Sequence, residues 1–409
     1  MKINLKKWFA LAAAGMMACS MTSCSDIVSK VTGMFGGNSQ SENSVEEETN
    51  QPIILKNVTE AKNVILMIGD GMGPQQIKAG EVFKGEQLAM QGFPYKTTVE
   101  TCSASAQITD SAAAATALAT GVRTTNGVVG MDPTLTELTT IVDIAHGLGK
   151  STGILATEEL YGATPMGFSG HASARGKSYE LIQSAAKTSN VNLFASYGIS
   201  QQYQSILVEE GYEKIGEVDS ISEATADKIF GSYLIDAKEE SMTASGAVAA
   251  FDRLVTEALD YLSKDPDGFF LMAEGSHIDH GGHNNDICYM LEELIAFDDA
   301  VQAVLEWAKD RDDTVVIVTA DHETGGLIFD GDTTHEEMQR IYQNGGAGNC
   351  YMWTTGGHTS TDVNCYINGA DINFKEYSFG TNGRIKNTDV FEIMKFLVTG
   401  EKEAKTDCE

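Results

Sequence analysis

The chain has 409 residues, with 28 Lys+Arg against 58 Asp+Glu, a formal net charge of −30, 42% apolar and 8% aromatic residues. That apolar content supports a large core and excludes disorder for the bulk of the chain, and six prolines exclude a collagen-like or proline-rich protein. The acidic balance argues against nucleic acid as a specific partner and against adhesion to anionic lipid, both of which need an excess of Lys and Arg.

The N-terminus reads as an export signal. Lys2, Lys6 and Lys7 form a positive start, and the run from Trp8 to Ala18 carries no charge. The run is too short to span a bilayer, which takes about 20 residues. Met21-Thr22-Ser23-Cys24 looks like a bacterial lipoprotein cleavage site, with Cys19 as a competing site and a plain secretory signal as the alternative. The expected division is a signal over 1–24, a flexible linker over 25–52 rich in Ser, Glu, Asn and Gly, and one domain over 53–409. The expected location is the periplasm or outer membrane, with the lipid as the sole membrane contact. Of the later cysteines, Cys350 and Cys365 bracket a loop and are the expected disulfide pair, since an exported chain permits one.

Beyond the linker, apolar runs alternate with helical patterns. Asn63–Ile68, Thr152–Ala156, Gly268–Ala273 and Thr314–Thr319 are apolar on both faces, as strands of a parallel sheet are. Helices are expected over Ser111–Thr120, Leu135–Leu148, Tyr179–Lys187, Ala247–Leu262 and Tyr289–Trp307. The alternation predicts an α/β fold, a mainly parallel central sheet with helices on both faces.

Each of these strands runs into chemistry. The first ends at Gly69-Asp70-Gly71; the second leads to Thr157 and then Thr164-Pro165. The third reaches Glu274, Asp279, His280 and His283, and the fourth reaches Asp321-His322. In open parallel sheets the ligand crevice lies outside the carboxyl ends of the strands. Asp70, Glu274, Asp279 and Asp321 would repel one another there unless cations neutralised them. His283, His322 and His358 add nitrogens that suit Zn²⁺, and carboxylate and hydroxyl oxygens suit Mg²⁺. Gly281-Gly282, between Asp279 and His283, argues for a loop there. Upstream, Asp110-Ser111 opens an alanine-rich helix whose free amides and dipole attract an anion, which makes Ser111 a nucleophile candidate. Taken alone, Asp110 or Ser111 also reads as a simple helix cap, and Arg175 as either a phosphate clamp or a surface ion pair.

Together these residues resemble the alkaline phosphatase family, in order over most of residues 60–370. The resemblance implies Ser111 as the phosphorylated serine, Asp110 beside it in the nucleophile motif, and Arg175 as the phosphate-binding arginine. It implies two Zn²⁺ and one Mg²⁺. Asp279, His283 and His358 would hold the first zinc, and Asp70, Asp321 and His322 the second. Thr164 and Glu274, with Asp70, would hold magnesium. The implied reaction is hydrolysis of small phosphate monoesters by two displacements through phosphoserine, in a homodimer.

Some positions depart from the family. Gly162 stands two before Thr164, where relatives often carry an Asp or His that touches magnesium or its waters. His280 occupies a position that varies among Lys, Trp and His, and is expected to tune phosphate affinity. The segment 331–349 is short where animal enzymes carry a crown insertion. His146, His171, His277 and His335 carry no expected ligand role. The rival readings are a phosphodiesterase of the same superfamily and a non-catalytic lipoprotein that captures phosphate or metal.

Overall fold

Every residue from Asn63 to Gly69 is buried, as are Phe269–Gly275 and Thr314–Thr319. A strand with no polar face must be covered on both sides, which places these runs at the centre of the sheet. The computed structural model describes residues 51–188, 190–233, 251–377 and 383–401. The export signal, almost all of the linker, Cys408 and the first four residues of the helix expected over Ala247–Leu262 lie outside the described residues.

In chain order the strands are β1 (Asn63–Gly69), β2 (Tyr95–Glu100), β3 (Ser151–Glu159), β4 (Leu193–Gly198), β5 (Glu213–Ile215), β6 (Ile229–Ser232), β7 (Phe269–Gly275), β8 (Thr314–Thr319), β9 (Glu323–Thr324), β10 (Leu327–Phe329), β11 (Tyr351–Trp353), β12 (His358–Thr359), β13 (Val363–Asn368) and β14 (Arg384–Lys386). Ten of them form one sheet in the order β14-β2-β13-β8-β1-β7-β3-β4-β6-β5. It is parallel except where β13 runs against β2 and β8. The mainly parallel α/β architecture read from the sequence is therefore the one observed. β10 pairs with β11, and β12 with β9, as two small ribbons.

The sheet order does the essential work. β8, β1, β7 and β3 are consecutive neighbours, and they are the four strands whose ends carry the chemistry. Their registers are level: Ile68 pairs with both Thr319 and Glu274, and Glu274 pairs with Ala156. The chain therefore leaves four adjacent strands at the same height, and residues far apart in sequence converge on one edge.

The helix Ser111–Thr120 is buried along its whole length, which explains its alanines. A Cβ added at Gly167, on the short helix Ala163–Gly167, would lie 2.6 Å from the Ala115 Cβ. Only small side chains on both helices permit that approach.

Three expectations need correction. The helix expected over Leu135–Leu148 covers only Ile141–Gly147. Leu135 sits at φ 65° in a turn, and Thr140 starts the helix by exchanging hydrogen bonds with Asp143. The stretch His277–His283 is helical, although Gly281-Gly282 suggested a loop. Those glycines answer to packing and not to chain breaking. A Cβ at Gly281 would lie 2.6 Å from the Met290 backbone, and one at Gly282 would lie 2.8 Å from the Thr324 carbonyl. Finally, Cys350 and Cys365 are both free thiols. Cys365 is buried within β13, between its partners on β2 and β8, whereas Cys350 lies in the β10–β11 connection, immediately before β11. Bracketing a loop says nothing about the distance between two sulfurs.

Candidate active site

Asp70 follows β1, and its backbone N–H donates to the Gly275 carbonyl at the end of β7. Gly71 continues the turn at φ +73°, and its N–H donates to Asp321 Oδ1. A Cβ on Gly71 would come within 2.7 Å of the Asp279 Cα, so this tight approach requires glycine. The turn thus ties together the ends of β1, β7 and β8.

His322 stands at the centre of the resulting cluster and is fully buried. Its Nε2 lies 3.1 Å from Asp321 Oδ2, 3.6 Å from Asp70 Oδ1 and 3.2 Å from Ser111 Oγ. Its ring stacks on His358 with centroids 3.6 Å apart. The His358 Nε2 lies 3.5 Å from Asp279 Oδ1 and 3.2 Å from His283 Nε2, and His283 Nε2 lies 3.2 Å from Asp279 Oδ2. The other ring nitrogens of His283 and His358 face the carbonyls of Gly356 and Thr109 at 2.7 and 2.9 Å, which fixes both rings. Asp70, Asp321 and His322 thus form one donor group. Asp279, His322 and His358 form a second, so His322 belongs to both, and His283 lies against Asp279 and His358.

Ser111 is the first residue of its helix, with its side chain aimed at this cluster. Asp110 caps the helix, its Oδ1 accepting from the Ala113 N–H at 3.0 Å. The same carboxylate accepts from the Gly127 N–H and pairs with Arg175 Nη1 at 3.4 Å. The Arg175 N–H donates to the Gly127 carbonyl. Capping and positioning are therefore one arrangement: Asp110 holds the serine and the arginine together. Arg175 remains half exposed, with its guanidinium held by Asp110 at the start of Ser111's helix.

Thr164 and Glu274 are buried, and neither Thr164 Oγ1 nor either Glu274 oxygen has a hydrogen-bond partner. Asp70 Oδ1 and Asp321 Oδ2 are likewise unpartnered. A buried carboxylate without a donor is costly. Burial first, and then the charges of Asp321, Asp279, Glu274 and Glu158, hold Asp70 well above the usual carboxylate range. Burial and the nearby Glu158 do the same to Glu274. Burial pushes Asp321 up to about 6 despite His358, and it drives His322 well below the ordinary imidazole value. Orphaned oxygens and a neutral imidazole, converging without cationic side chains, are the donor set of divalent metal ions.

Sequence reasoning missed two residues here. Thr324 Oγ1 donates to Asp279 Oδ1 and lies 3.2 Å from His322 Nδ1, so it links the two donor groups. Its place two residues after His322 was a signal. Glu158, near the end of β3, is pushed up to about 7 by burial and by Glu159, against Arg175. Nothing local singles it out. Of the remaining histidines, His171 bonds Ser184 and the Leu138 carbonyl. His335 is exposed and faces the Val82 carbonyl.

The chain matches the family model for alkaline phosphatase over residues 61–241 and 244–352. The chain belongs to the alkaline phosphatase family. Alkaline phosphatase 3 of Bacillus subtilis is 30% identical over 308 residues, which span 71% of this chain and 67% of that one. The Escherichia coli K12 alkaline phosphatase is 30% identical over 340 residues, spanning 67% and 72%. Among solved structures, alkaline phosphatase from the Antarctic bacterium TAB5 superposes with a TM-score of 0.71 at 30% identity, covering 83% of this chain and 99% of that one. A variant of that enzyme carries Mg in its M3 site. This family member is accordingly a hydrolase of phosphate monoesters.

The metal-free phosphatase has a defined pH response. Asp70, Glu274 and Glu158 bind protons more tightly folded than unfolded. Their contribution to stability is complete below about pH 4 and is lost as pH rises through their folded values. His322, His277 and His280, held low by burial, act in the opposite sense, but only below their unfolded value of about 6.5. From about pH 7 to about pH 8, where Glu158 loses its proton, the carboxylates govern, and the Tm of the chelator-stripped protein is expected to fall. Protein reloaded with Zn²⁺ and Mg²⁺ is expected to hold its Tm over that range. Parallel melting curves for the two forms would contradict this account.

Proposed function

We propose that this phosphatase works through a covalent phosphoserine at Ser111. The observation that carries the reading is the position of Ser111 Oγ. It lies at the start of a buried helix, 3.2 Å from His322, within a set of unpartnered carboxylate oxygens. In the first displacement the Ser111 oxygen bonds to phosphorus and the ester oxygen leaves with the alcohol. In the second, a water oxygen bonds to phosphorus and the bond from phosphorus to the Ser111 oxygen breaks; phosphate departs with the water oxygen, and Ser111 keeps its own oxygen and takes a proton. The amides of the first helical turn and the Arg175 fork face the non-bridging oxygens, where transition-state charge is spread. Asp110 orients both by its bonds to Ala113, Gly127 and Arg175.

The residues fit two Zn²⁺ and one Mg²⁺. Asp279, His283 and His358 would hold the first zinc, and Asp70, Asp321 and His322 the second. Thr164, Glu274 and Asp70 would hold magnesium. Bound there, the ions supply positive charge at the attacking and departing oxygens.

Arg175 distinguishes a monoesterase from a diesterase, because a dianionic monoester presents oxygens that a planar fork matches. Arg175→Ala is expected to raise KM for p-nitrophenyl phosphate by about tenfold or more, with a smaller fall in kcat. Turnover of bis-p-nitrophenyl phosphate should be slow in both proteins. Preferred diester turnover, or an unchanged KM, would sink the assignment.

The same proposal includes export, lipidation at Cys24 and a homodimeric state. The first two rest on the composition of residues 1–24, the third on the family. A Cys24→Ser variant should shift from the membrane to the soluble fraction of cells, and light scattering on it should give twice the chain mass. A variant still in the membrane fraction, or a monomer mass, would refute the corresponding part.

A further inference from the structure

A third group of metal donors stands apart from the two already described. Glu158, His277 and His280 each offer one donor atom, and these atoms lie within 4.8 Å of one another. None of the three belongs to the Asp70–Asp321–His322 or the Asp279–His322–His358 group. We propose that Glu158, His277 and His280 bind a divalent transition metal ion of the zinc class.

The fold brings the three together by adjacency. β3 and β7 are paired, with Ala156 opposite Glu274. Glu158 lies two residues beyond one partner and His277 three beyond the other, so both emerge at the same sheet edge. The pairing of β3 with β4 slips between Ala156 and Glu159, and an irregularity of this kind re-aims a side chain. His277 and His280 are three apart on the helix His277–His283 and therefore share a face. Their ring centroids are 4.7 Å apart, and Glu158 Oε2 lies 3.8 Å from His280 Nε2. Donors held about 2.0–2.2 Å from one ion in tetrahedral geometry sit roughly 3.5 Å apart, so a small closure suffices.

Gly162 makes the arrangement possible. A Cβ at that position would lie 2.0 Å from Glu158 Oε1 and 2.9 Å from its Cδ. Any larger residue there would push the Glu158 carboxylate out of its place. The glycine that departs from the family pattern and the glutamate four residues before it thus go together. His277 is also poorly served by the protein alone. Its Nδ1 is buried without a hydrogen-bond partner, and the nearest carboxylate, on Glu293, is 4.0 Å away. Two imidazoles and one carboxylate suit zinc or another first-row ion, whereas magnesium takes an all-oxygen shell. His280 is half exposed, which leaves room for water or a substrate oxygen on the remaining positions.

The test counts metals and needs no turnover. The full chain is dialysed to equilibrium against excess Zn²⁺ and Mg²⁺, and its metals are measured by plasma mass spectrometry. Glu158→Gln and His277→Gln are each expected to carry one zinc fewer per chain than the parent, with magnesium unchanged. A Co²⁺ titration of the metal-free variants should saturate one equivalent earlier in the visible spectrum. His358→Ala should lose zinc from the other group, and His277→Gln/His358→Ala should lose the sum of the two. Thermal melts report which variants fold, and either Glu158→Gln or His277→Gln suffices. Equal zinc in the parent and the folded variant would overturn the site. So would a loss of magnesium in place of zinc, which would assign Glu158 to Asp70, Thr164 and Glu274.

Discussion

Ser111→Ala is expected to lower kcat for p-nitrophenyl phosphate by at least about a thousandfold, roughly 4 kcal/mol of transition-state stabilisation. The substitution removes one oxygen from a buried position whose neighbours are otherwise retained. Asp110 still caps the helix, because its bonds go to the Ala113 and Gly127 amides and not to the serine. Alanine is the best helix former, and the following four residues are alanines already. The fold and the binding of inorganic phosphate should therefore survive. The two halves of that expectation are read separately, by steady-state rates and by phosphate titration of the variant. Quenching the parent enzyme with radiolabelled substrate at acid pH should trap label on Ser111, and the variant should trap none. A variant that turns over at the parent rate would remove the covalent mechanism, while one that no longer binds phosphate would point to a damaged site.

Removal of divalent metal should abolish activity to a similar degree. At least four carboxylate oxygens of the site, on Asp70, Glu274 and Asp321, are buried without a donor. Arg175 is half exposed and paired with Asp110. The protein alone leaves that negative charge uncompensated. Lewis-acid charge at the reacting oxygens contributes several kcal/mol to reactions of this class, so a loss of at least about a hundredfold follows. Dialysis against EDTA followed by assay, with metals counted in the same sample, checks it. Zn²⁺ and Mg²⁺ together should restore the rate, and Mg²⁺ alone should not. Asp321→Asn should lose zinc and rate together, since that carboxylate stands with Asp70 and His322 in one donor group and accepts from the Gly71 N–H. Full activity in a sample shown to be free of metal would end the proposal.

The central strands could be read from the sequence because burial on both faces leaves a local mark, a short run of apolar residues bounded by glycine or polar residues. β1, β7 and β8 were recognisable on that basis, whereas β2 alternates between half-buried and exposed residues with only Val99 buried, and β5 is three residues long. Strands at or near the edge of a sheet need not be apolar throughout, so pattern alone passes over them. The helix Ser111–Thr120 was legible for a related reason: alanines favour helix in isolation, and Asp at its start is a strong cap. Donor residues next to strand ends were likewise visible, because sheet edge and strand end are neighbours in sequence.

What lay beyond the sequence depends on which elements become neighbours. Gly281 and Gly282 read as a break in the chain, yet they mark where a helix touches Met290 and Thr324. Cys350 and Cys365 are close in number but lie on different structures. Glu158 carries no local signal, and its place beside His277 and His280 appears only when the end of β3 is set beside the helix that follows β7. The sequence by itself determined the α/β class, the nucleophile-bearing helix and the residue types available for metal and phosphate. Only the tertiary structure decided that β8, β1, β7 and β3 stand side by side at one height, and that His322 reaches both donor groups and Ser111. The reason is physical: periodicity and propensity act over a turn or a strand, whereas strand order and close packing are set by contacts between residues hundreds of positions apart.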